Sequence, residues 1–514
     1  MNIVNKSIQW LHKVTGVIIA IFFIMWFITG IVLLYHDYPR VSSADRNMHS
    51  ALIPADNLPA LSHVSGLSDS VAIKTLTVKQ WLGETVWTIS GLSNHKENPM
   101  EDAPVTGGNF VINGDSLVAP KEITQTILDS IATVWSTGGI IVKVDTLNQR
   151  QQWIMYERYE KSLPILRYYF DNPEKSEIFI SQKSGEVLQT TTKSERIWSW
   201  LGAIPHKLYI PALRKDVKRW ENVLLIGGLF CLGAALSGMY MGIYYIFINI
   251  KKTHRSGSPF KKRIWKYHHI SGLVFGIFLI AWGISGSLAM QRVPKWLVNY
   301  EGEYFVNSSK LWGKEPLKLD SYKLDYRDLF SKFKDIKSIS WEHFGEVPAY
   351  LVINGDKEIY VDASVSGEIR LMNLSKEEIE SAVRRYFGDN VNYAISEMNE
   401  YDEYYLSQAD GYPLPVWKID VENKDGSRLY VSPTTGYVKY LNKNRMTKKW
   451  LFGATHYLGI KYFVLHKTLR YVCLWILSMG CIFVCITGLC IYFSKTKKLF
   501  KIYFVLLLRS LSAS

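Results

Sequence analysis

Four apolar runs, at residues 14–35, 222–249, 270–290 and 470–493, constrain this chain more than anything else in it. Each can cross a hydrocarbon core of about 30 Å as a helix rising about 1.5 Å per residue. A backbone inside lipid must satisfy its own hydrogen bonds, so the runs are expected as four helices. The first run exceeds the length of a signal core and lacks a small-residue cleavage site before Tyr35-His36-Asp37, so it reads as an uncleaved span. The apolar tail from Leu499 to Leu508 is too short to span and is expected at the membrane interface.

The chain also states one pattern twice. Leu163-Pro164-Ile165, Phe179-Ile180-Ser181, Ser184-Gly185-Glu186-Val187, Trp200-Leu201 and His206 recur as Leu414-Pro415-Val416, Tyr430-Val431-Ser432, Thr435-Gly436-Tyr437-Val438, Trp450-Leu451 and His456, displaced by 250 or 251 residues. A second echo pairs His12-x-x-Thr15-Gly16 and Trp26-x-x-Thr29-Gly30 with His268-x-x-Ser271-Gly272 and Trp282-x-x-Ser285-Gly286, each displaced by 256. Four histidines therefore occupy matched places at the ends of spans. That arrangement points to a paired-ligand site.

Charge orients the spans. The connection from Lys251 to Lys266 carries seven Lys and Arg and no acid, which marks it as cytoplasmic, and Lys495, Lys497, Lys498 and Lys501 agree. The expected order is an N-terminal helix over 1–36, an external domain over 37–200, and an external approach with the second span over 201–250. A basic cytoplasmic loop (251–266), the third span (267–294), a second external domain (295–450), an approach with the fourth span (451–494) and a cytoplasmic tail (495–514) complete it. A net charge of +14 would suit nucleic acid, but the densest basic runs abut spans, and nucleic-acid binding is not expected.

All five cysteines (Cys231, Cys473, Cys481, Cys485, Cys490) fall in the second and fourth spans, so disulfides are not expected in the external domains. Cys481 and Cys485, one turn apart, read as apolar packing rather than a redox pair. Tyr156, Tyr159, Tyr168, Tyr169, Tyr401, Tyr404, Tyr405 and Trp417 either fill sheet cores or line a cleft, the core reading being favoured. His49, His63, His95 and His343 lack metal-ligand spacing and are expected at the surface. The cytoplasmic segments hold no glycine-rich nucleotide fingerprint and no Cys-x-x-Cys, so reducing equivalents must come from a partner or from membrane quinol.

The external segments read as α+β, with strand–turn–strand patterns at Glu177–Leu188, Tyr360–Ile369 and Leu429–Val438. A further pair places Val111-Ile112-Asn113-Gly114-Asp115 against Val352-Ile353-Asn354-Gly355-Asp356, and helices are expected near 121–134 and 375–387. With the Trp10-Leu11-His12 opening, Tyr404-Tyr405, Leu414-Pro415-Val416 and Trp450-Leu451 to His456, the chain over 8–495 resembles the PepSY-associated transmembrane family, which includes ferric-siderophore reductases. The resemblance implies a bundle of four transmembrane helices, two extracytoplasmic α+β PepSY-like domains and b-type haem in a bacterial inner membrane.

The histidines support a cofactor reading in their own right. Two neutral imidazoles on different helices can ligate haem iron from opposite faces. His12 and His268 are assigned to an inner haem, with Gly16 and Gly272 one turn along leaving room for a flat macrocycle. A pair of interfacial histidines is the competing reading. His269, pointing about 100° away from His268, reads as packing, and is an alternative ligand. His206 and His456 are assigned to an outer haem. A continuous helix from either to the glycine 32 residues on (Gly238, Gly488) would run about 48 Å, which places both at or above the external surface. His466 and His36 are the alternative outer ligands. The expected function is one-electron reduction of a periplasmic ferric chelate, releasing ferrous iron, with no catalytic triad required. A non-enzymatic membrane-anchored PepSY module for peptidases or signalling is the alternative. A transporter is disfavoured by the lack of intramembrane carboxylates.

Overall fold

In the computed structural model the described residues are 3–511, without 57, 61–70, 94–104, 114–115, 119–121, 314 and 408–410. His63, His95 and the Gly114-Asp115 turn lie outside them. Four helices are long and apolar enough to cross a membrane: α1 (Ile3–Leu33), α2 (Val217–Thr253), α3 (Arg263–Leu288) and α4 (Lys467–Leu511), the last over Lys467–Ser494. The second and fourth extend beyond their apolar runs at both ends, whereas the first and third begin earlier and end two residues before their runs do. No Gly or Pro interrupts residues 489–511, and α4 continues through the apolar tail to Leu511.

The helices close into a bundle in which α1 and α3 each pack against both α2 and α4. Small residues permit the closest approaches. A Cβ on Gly228 would lie 2.5 Å from Ser287 Oγ, and one on Gly283 would lie 2.9 Å from the Leu232 backbone. Ile19, Phe23, Phe27, Leu279, Cys231, Cys481 and Cys485 fill the bundle interior, so the cysteines are packing residues.

Sixteen described strands form three antiparallel sheets. The first segment contributes β1 (Val71–Trp81), β2 (Glu84–Ser93), β3 (Val105–Asn113), β4 (Ser116–Val118), β5 (Ile141–Leu147), β6 (Ile165–Phe170), β7 (Glu177–Ser181) and β8 (Val187–Thr191). The second contributes β9 (Ile336–Phe344), β10 (Val347–Asn354), β11 (Lys357–Asp362), β12 (Arg370–Leu371), β13 (Tyr393–Met398), β14 (Val416–Val421), β15 (Arg428–Val431) and β16 (Val438–Leu441). Strands β5 to β8 and β13 to β16 make two four-stranded sheets in sequential order. The third sheet runs β12-β11-β10-β9-β1-β2-β3-β4, so β1 pairs with β9 across the two segments, from Leu76↔Trp341 to Lys79↔Ser338. One sheet therefore draws on both external segments, and both lie on the same side of the bundle. Trp87, Trp341, Tyr326 and Tyr350 pack beneath that seam, all at most 2% exposed.

The hairpins expected from sequence appear as β7–β8, β10–β11, β11–β12 and β15–β16. Helices Gln125–Trp135 and Lys376–Phe387 stand where helical periodicity indicates, the second opened by a capping box from Ser375 and Glu378. Tyr405 and Tyr168 are fully buried and Tyr159 nearly so, which assigns those aromatics to cores.

Candidate functional site

Within the bundle, His12 of α1 and His268 of α3 face one another with ring centroids 6.4 Å apart and planes inclined by 29°. Each ring is fixed by the neighbouring helix. His12 Nδ1 lies 3.2 Å from the Ala234 carbonyl and 3.5 Å from Ser237 Oγ. His268 Nδ1 lies 3.1 Å from both the Val484 carbonyl and Thr487 Oγ1. The two hydroxyls donate to Ala234 O and Val484 O, so toward the imidazoles they act as acceptors. Nδ1–H donation to carbonyl oxygen fixes the tautomer and leaves Nε2 as the bare, metal-binding nitrogen.

Glycines make this approach possible. A Cβ on Gly238 would lie 2.6 Å from His12 Cε1, and one on Gly488 would lie 3.1 Å from His268 Cε1. Gly16 and Gly272 play a different part. A Cβ on either would come no nearer than 4.0 Å to any atom considered, and both line the cavity that holds the His12–His268 pair.

His206 and His456 form a second pair, with centroids 6.1 Å apart and planes at 69°. They sit on the short helices Ala203–Lys207 and Thr455–Tyr457, outside the spans. Trp26 and Trp282 clamp these helices, their indole N–H groups donating to His206 O at 3.1 Å and His456 O at 2.8 Å. His206 Nδ1 lies 3.1 Å from both Trp26 O and Thr29 Oγ1, while His456 Nδ1 lies 3.0 Å from Ser285 Oγ. Thr29 and Ser285 in turn donate to the carbonyls of Trp26 and Trp282. The chain turns sharply after each histidine: Leu208 (φ 48) and Leu458 (φ 52) both adopt the left-handed region, disfavoured for a branched side chain. This reversal carries the rings back against the last turns of α1 and α3, and Pro211 opens the next short helix on the first approach. A π-helical turn, Lys449–Ala454, precedes His456, and Glu403 ties it to the external sheet by pairing with Lys449 and accepting from Lys461 N. Trp450 donates to Tyr404 at 3.1 Å, linking two of the motifs singled out in the sequence.

Burial, with the adjacent His456 and Lys207 adding to it, pushes the His206 imidazolium down to about 3. Burial alone pushes His456 down to about 4. Both rings are therefore neutral at pH 7, the state a metal ligand requires.

The other histidines stand apart from these pairs. His269 is buried and donates from Nε2 to Gly242 O at 2.9 Å, a packing role. His36 stacks on Trp198 at 4.2 Å, and His466, with Nδ1 2.8 Å from Tyr462 O, lies 4.5 Å from the Tyr462 ring with the planes tilted by 31°. His49 stacks on Trp135 at 4.0 Å, and His343 Nδ1 lies 3.1 Å from Gly345 O. Among the described residues no group of three or more His, Cys, Asp or Glu is placed to hold a metal. Sequence reading missed Ser237 and Thr487 and took Gly238 and Gly488 only as span markers. The signal was there: Ser237-Gly238 and Thr487-Gly488 are themselves 250 residues apart.

These features define a four-helix membrane protein with a sheet-rich part outside the bundle and two half-buried imidazole pairs. The sequence profile of the PepSY-associated TM region matches residues 9–315, and the chain belongs to that family. The match contains α1 to α3 with His12, His206 and His268, while His456 and α4 lie beyond it. Among curated proteins nothing matches the chain.

Proposed function

We propose that this chain is a di-haem b electron-transfer protein of the bacterial inner membrane that reduces ferric siderophores or other ferric chelates on the periplasmic side. The observation that carries the reading is the doubling of one ligand arrangement. Two imidazoles that share one iron through Nε2, each bond about 2 Å long, hold their centroids about 6 Å apart. Both pairs have that spacing, at 6.4 and 6.1 Å, and every Nδ1 is engaged by a carbonyl or hydroxyl oxygen. The rings thus suit a pair of ligands that would hold one haem iron, and the open space over Gly16 and Gly272 would suit a flat macrocycle. Haem b, when bound, supplies reversible one-electron exchange.

The protein's own residues do the rest. His12 with His268 would hold the inner group, and His206 with His456 the outer one. Phe23, which lines both cavities, and Phe27, 4.9 Å from Trp282, pack the space between them and exclude water. The two halves are related as a twofold repeat about the membrane normal, each running inside–outside–inside and each carrying a PepSY-like domain. The basic 251–266 loop and both termini face the cytoplasm, where a soluble partner or membrane quinol donates electrons. One electron converts Fe(III) in the chelate to Fe(II), which hard oxygen ligands bind less tightly, so release follows without acid–base residues.

A reduced-minus-oxidised spectrum and haem quantification of the detergent-purified protein test this. Two haems per chain are expected, with His12→Ala or His268→Ala removing one and His206→Ala or His456→Ala the other. The latter two variants should also lose rapid reoxidation by a ferric hydroxamate, followed with a coloured ferrous chelator. Wild-type protein without haem would refute the reading and leave the non-enzymatic PepSY module in its place.

A further inference from the structure

The cavity that holds the outer pair contains a charge with no ion-pair partner among the described residues. Arg470, in the first turn of α4, is 5% exposed, and it lines that cavity together with His206, His456, Lys207 and Asp37. Its Nε and Nη1 are buried without a hydrogen-bond partner. Its nearest ring, Tyr471, lies 5.4 Å from the guanidinium carbon and donates its own hydroxyl to Leu34 O. The other charges at the cavity are already matched, since Lys207 pairs with Asp37 at 2.9 Å. A guanidinium stripped of water and left unpaired is strongly unfavourable, whereas one met by a carboxylate in fork geometry is not.

The repeat sharpens the point. The residue 250 positions earlier is Trp220, whose indole N–H is satisfied by Lys207 O at 2.8 Å. Arg470 is therefore no duplicated scaffold residue but belongs to this one cavity. We infer that Arg470 is a carboxylate-binding residue that anchors a propionate of the tetrapyrrole held between His206 and His456. The inference rests on the haem reading above and extends it, because it assigns the orientation of the macrocycle: its acidic edge faces the start of α4. A propionate there would accept hydrogen bonds from the guanidinium and offset its charge, giving the buried donors the partner the protein does not supply.

The full-length protein in detergent, prepared haem-free and reconstituted, tests this with two probes: iron protoporphyrin IX and its dimethyl ester, which keeps the iron and ring but has no carboxylate. Retention against a haem-scavenging protein is read separately for the two haems from their spectra. The wild type should hold the ester about tenfold more weakly than the free acid at the outer site, equivalent to about 1.4 kcal/mol. Arg470→Met should weaken the free acid by a similar factor at that site only, with no further loss for the ester, and Arg470→Lys should recover part of it. Loss of the nearby cation should also lower the midpoint potential of the outer haem, because the oxidised iron gains relative stability. Equal retention of ester and acid by the wild type would overturn the inference, and so would an Arg470→Met protein with unaltered retention. Should Arg470→Met fail to fold, the ester comparison on the wild type decides alone. Failure of the wild type to bind either probe would instead refute the haem reading itself.

Discussion

The approach of α2 to His12 gives the most direct test of the inner site. Gly238→Ala adds one methyl group whose carbon would lie 2.6 Å from His12 Cε1, 3.1 Å from Nδ1 and 3.4 Å from Nε2. Ordinary contact needs roughly 3.5 Å or more between carbons, so ring or helix must move by about 0.9 Å or more. The ring cannot swing freely, since its Nδ1 is held at the Ala234 carbonyl of the same helix. Overpacking of this kind costs about 1–3 kcal/mol, which corresponds to roughly a fivefold to hundredfold weaker hold on whatever the ring ligates. Gly488→Ala makes the same collision with His268 at 3.1 Å and should cost less. Gly233→Ala, also on α2 but with nothing within 4 Å of the added carbon, serves as the neutral control.

The assay is haem retention per site, alongside thermal unfolding of the detergent-solubilised protein. The expected order of damage is Gly238→Ala, then Gly488→Ala, then Gly233→Ala, confined to the inner haem. If Gly238→Ala matches Gly233→Ala in both stability and retention, the close approach of α2 to His12 is wrong. If stability falls while both haems are kept, the packing is right and the ligand assignment is wrong.

Other consequences follow from the same geometry. Ser285→Ala removes the oxygen that engages His456 Nδ1, whereas Thr29→Val leaves Trp26 O for His206; outer-haem affinity should fall about 10–100-fold in the first and less in the second, and equal effects would contradict the arrangement. Gly436 has φ +63 and its added Cβ would lie against Phe344, so Gly436→Ala should destabilise the external sheets and reduce folded yield without changing haem spectra in the protein that survives. Trp341→Ala empties the core beneath the β1–β9 seam at a cost of about 3–5 kcal/mol, and proteolysis should then attack both external segments together. Cysteine labelling from outside should reach sites in 37–200 and 295–450 alike, and labelling on opposite faces would refute the shared sheet.

Much of this was legible in the sequence because the constraints are local. Apolar length gives the spans, since lipid leaves a backbone no alternative to helix. Hairpins such as β15–β16 are marked by alternation around a glycine that must take positive φ, as Gly436 does. The four histidines were found because the sequence repeats them at matched spacing. What the sequence hid is non-local. Nothing in Leu76 or Trp341 says that strands about 260 residues apart share a ladder, for pairing partners depend on where the bundle delivers each segment. The left-handed turns at Leu208 and Leu458, which follow each outer histidine where the chain leaves its short helix, likewise have no local sequence signal. Arg470 escaped notice for a related reason: a basic residue at a span's end reads as an interfacial anchor until its burial is seen.

The two pairs share a design yet differ in their surroundings, and on the haem reading proposed above the difference would bear on direction of transfer. Trp26 follows His12 on α1, and Trp282 follows His268 on α3, by 14 positions, about 21 Å of helix, so the pairs sit toward opposite ends of the bundle. In both, the ring is oriented by a backbone carbonyl or by a hydroxyl that itself donates to a carbonyl three residues earlier, so ligand basicity is set alike. What distinguishes the outer cavity is charge: Lys207 and Asp37 cancel, while Arg470 remains. A fixed cation stabilises the reduced form of a nearby redox centre, and at a buried site water screens it little. If the pairs hold haem as proposed, the symmetric ligands would build two similar centres, and Arg470, with no counterpart in the first half, would bias electrons toward the outer one by offsetting the charge of the propionate it anchors.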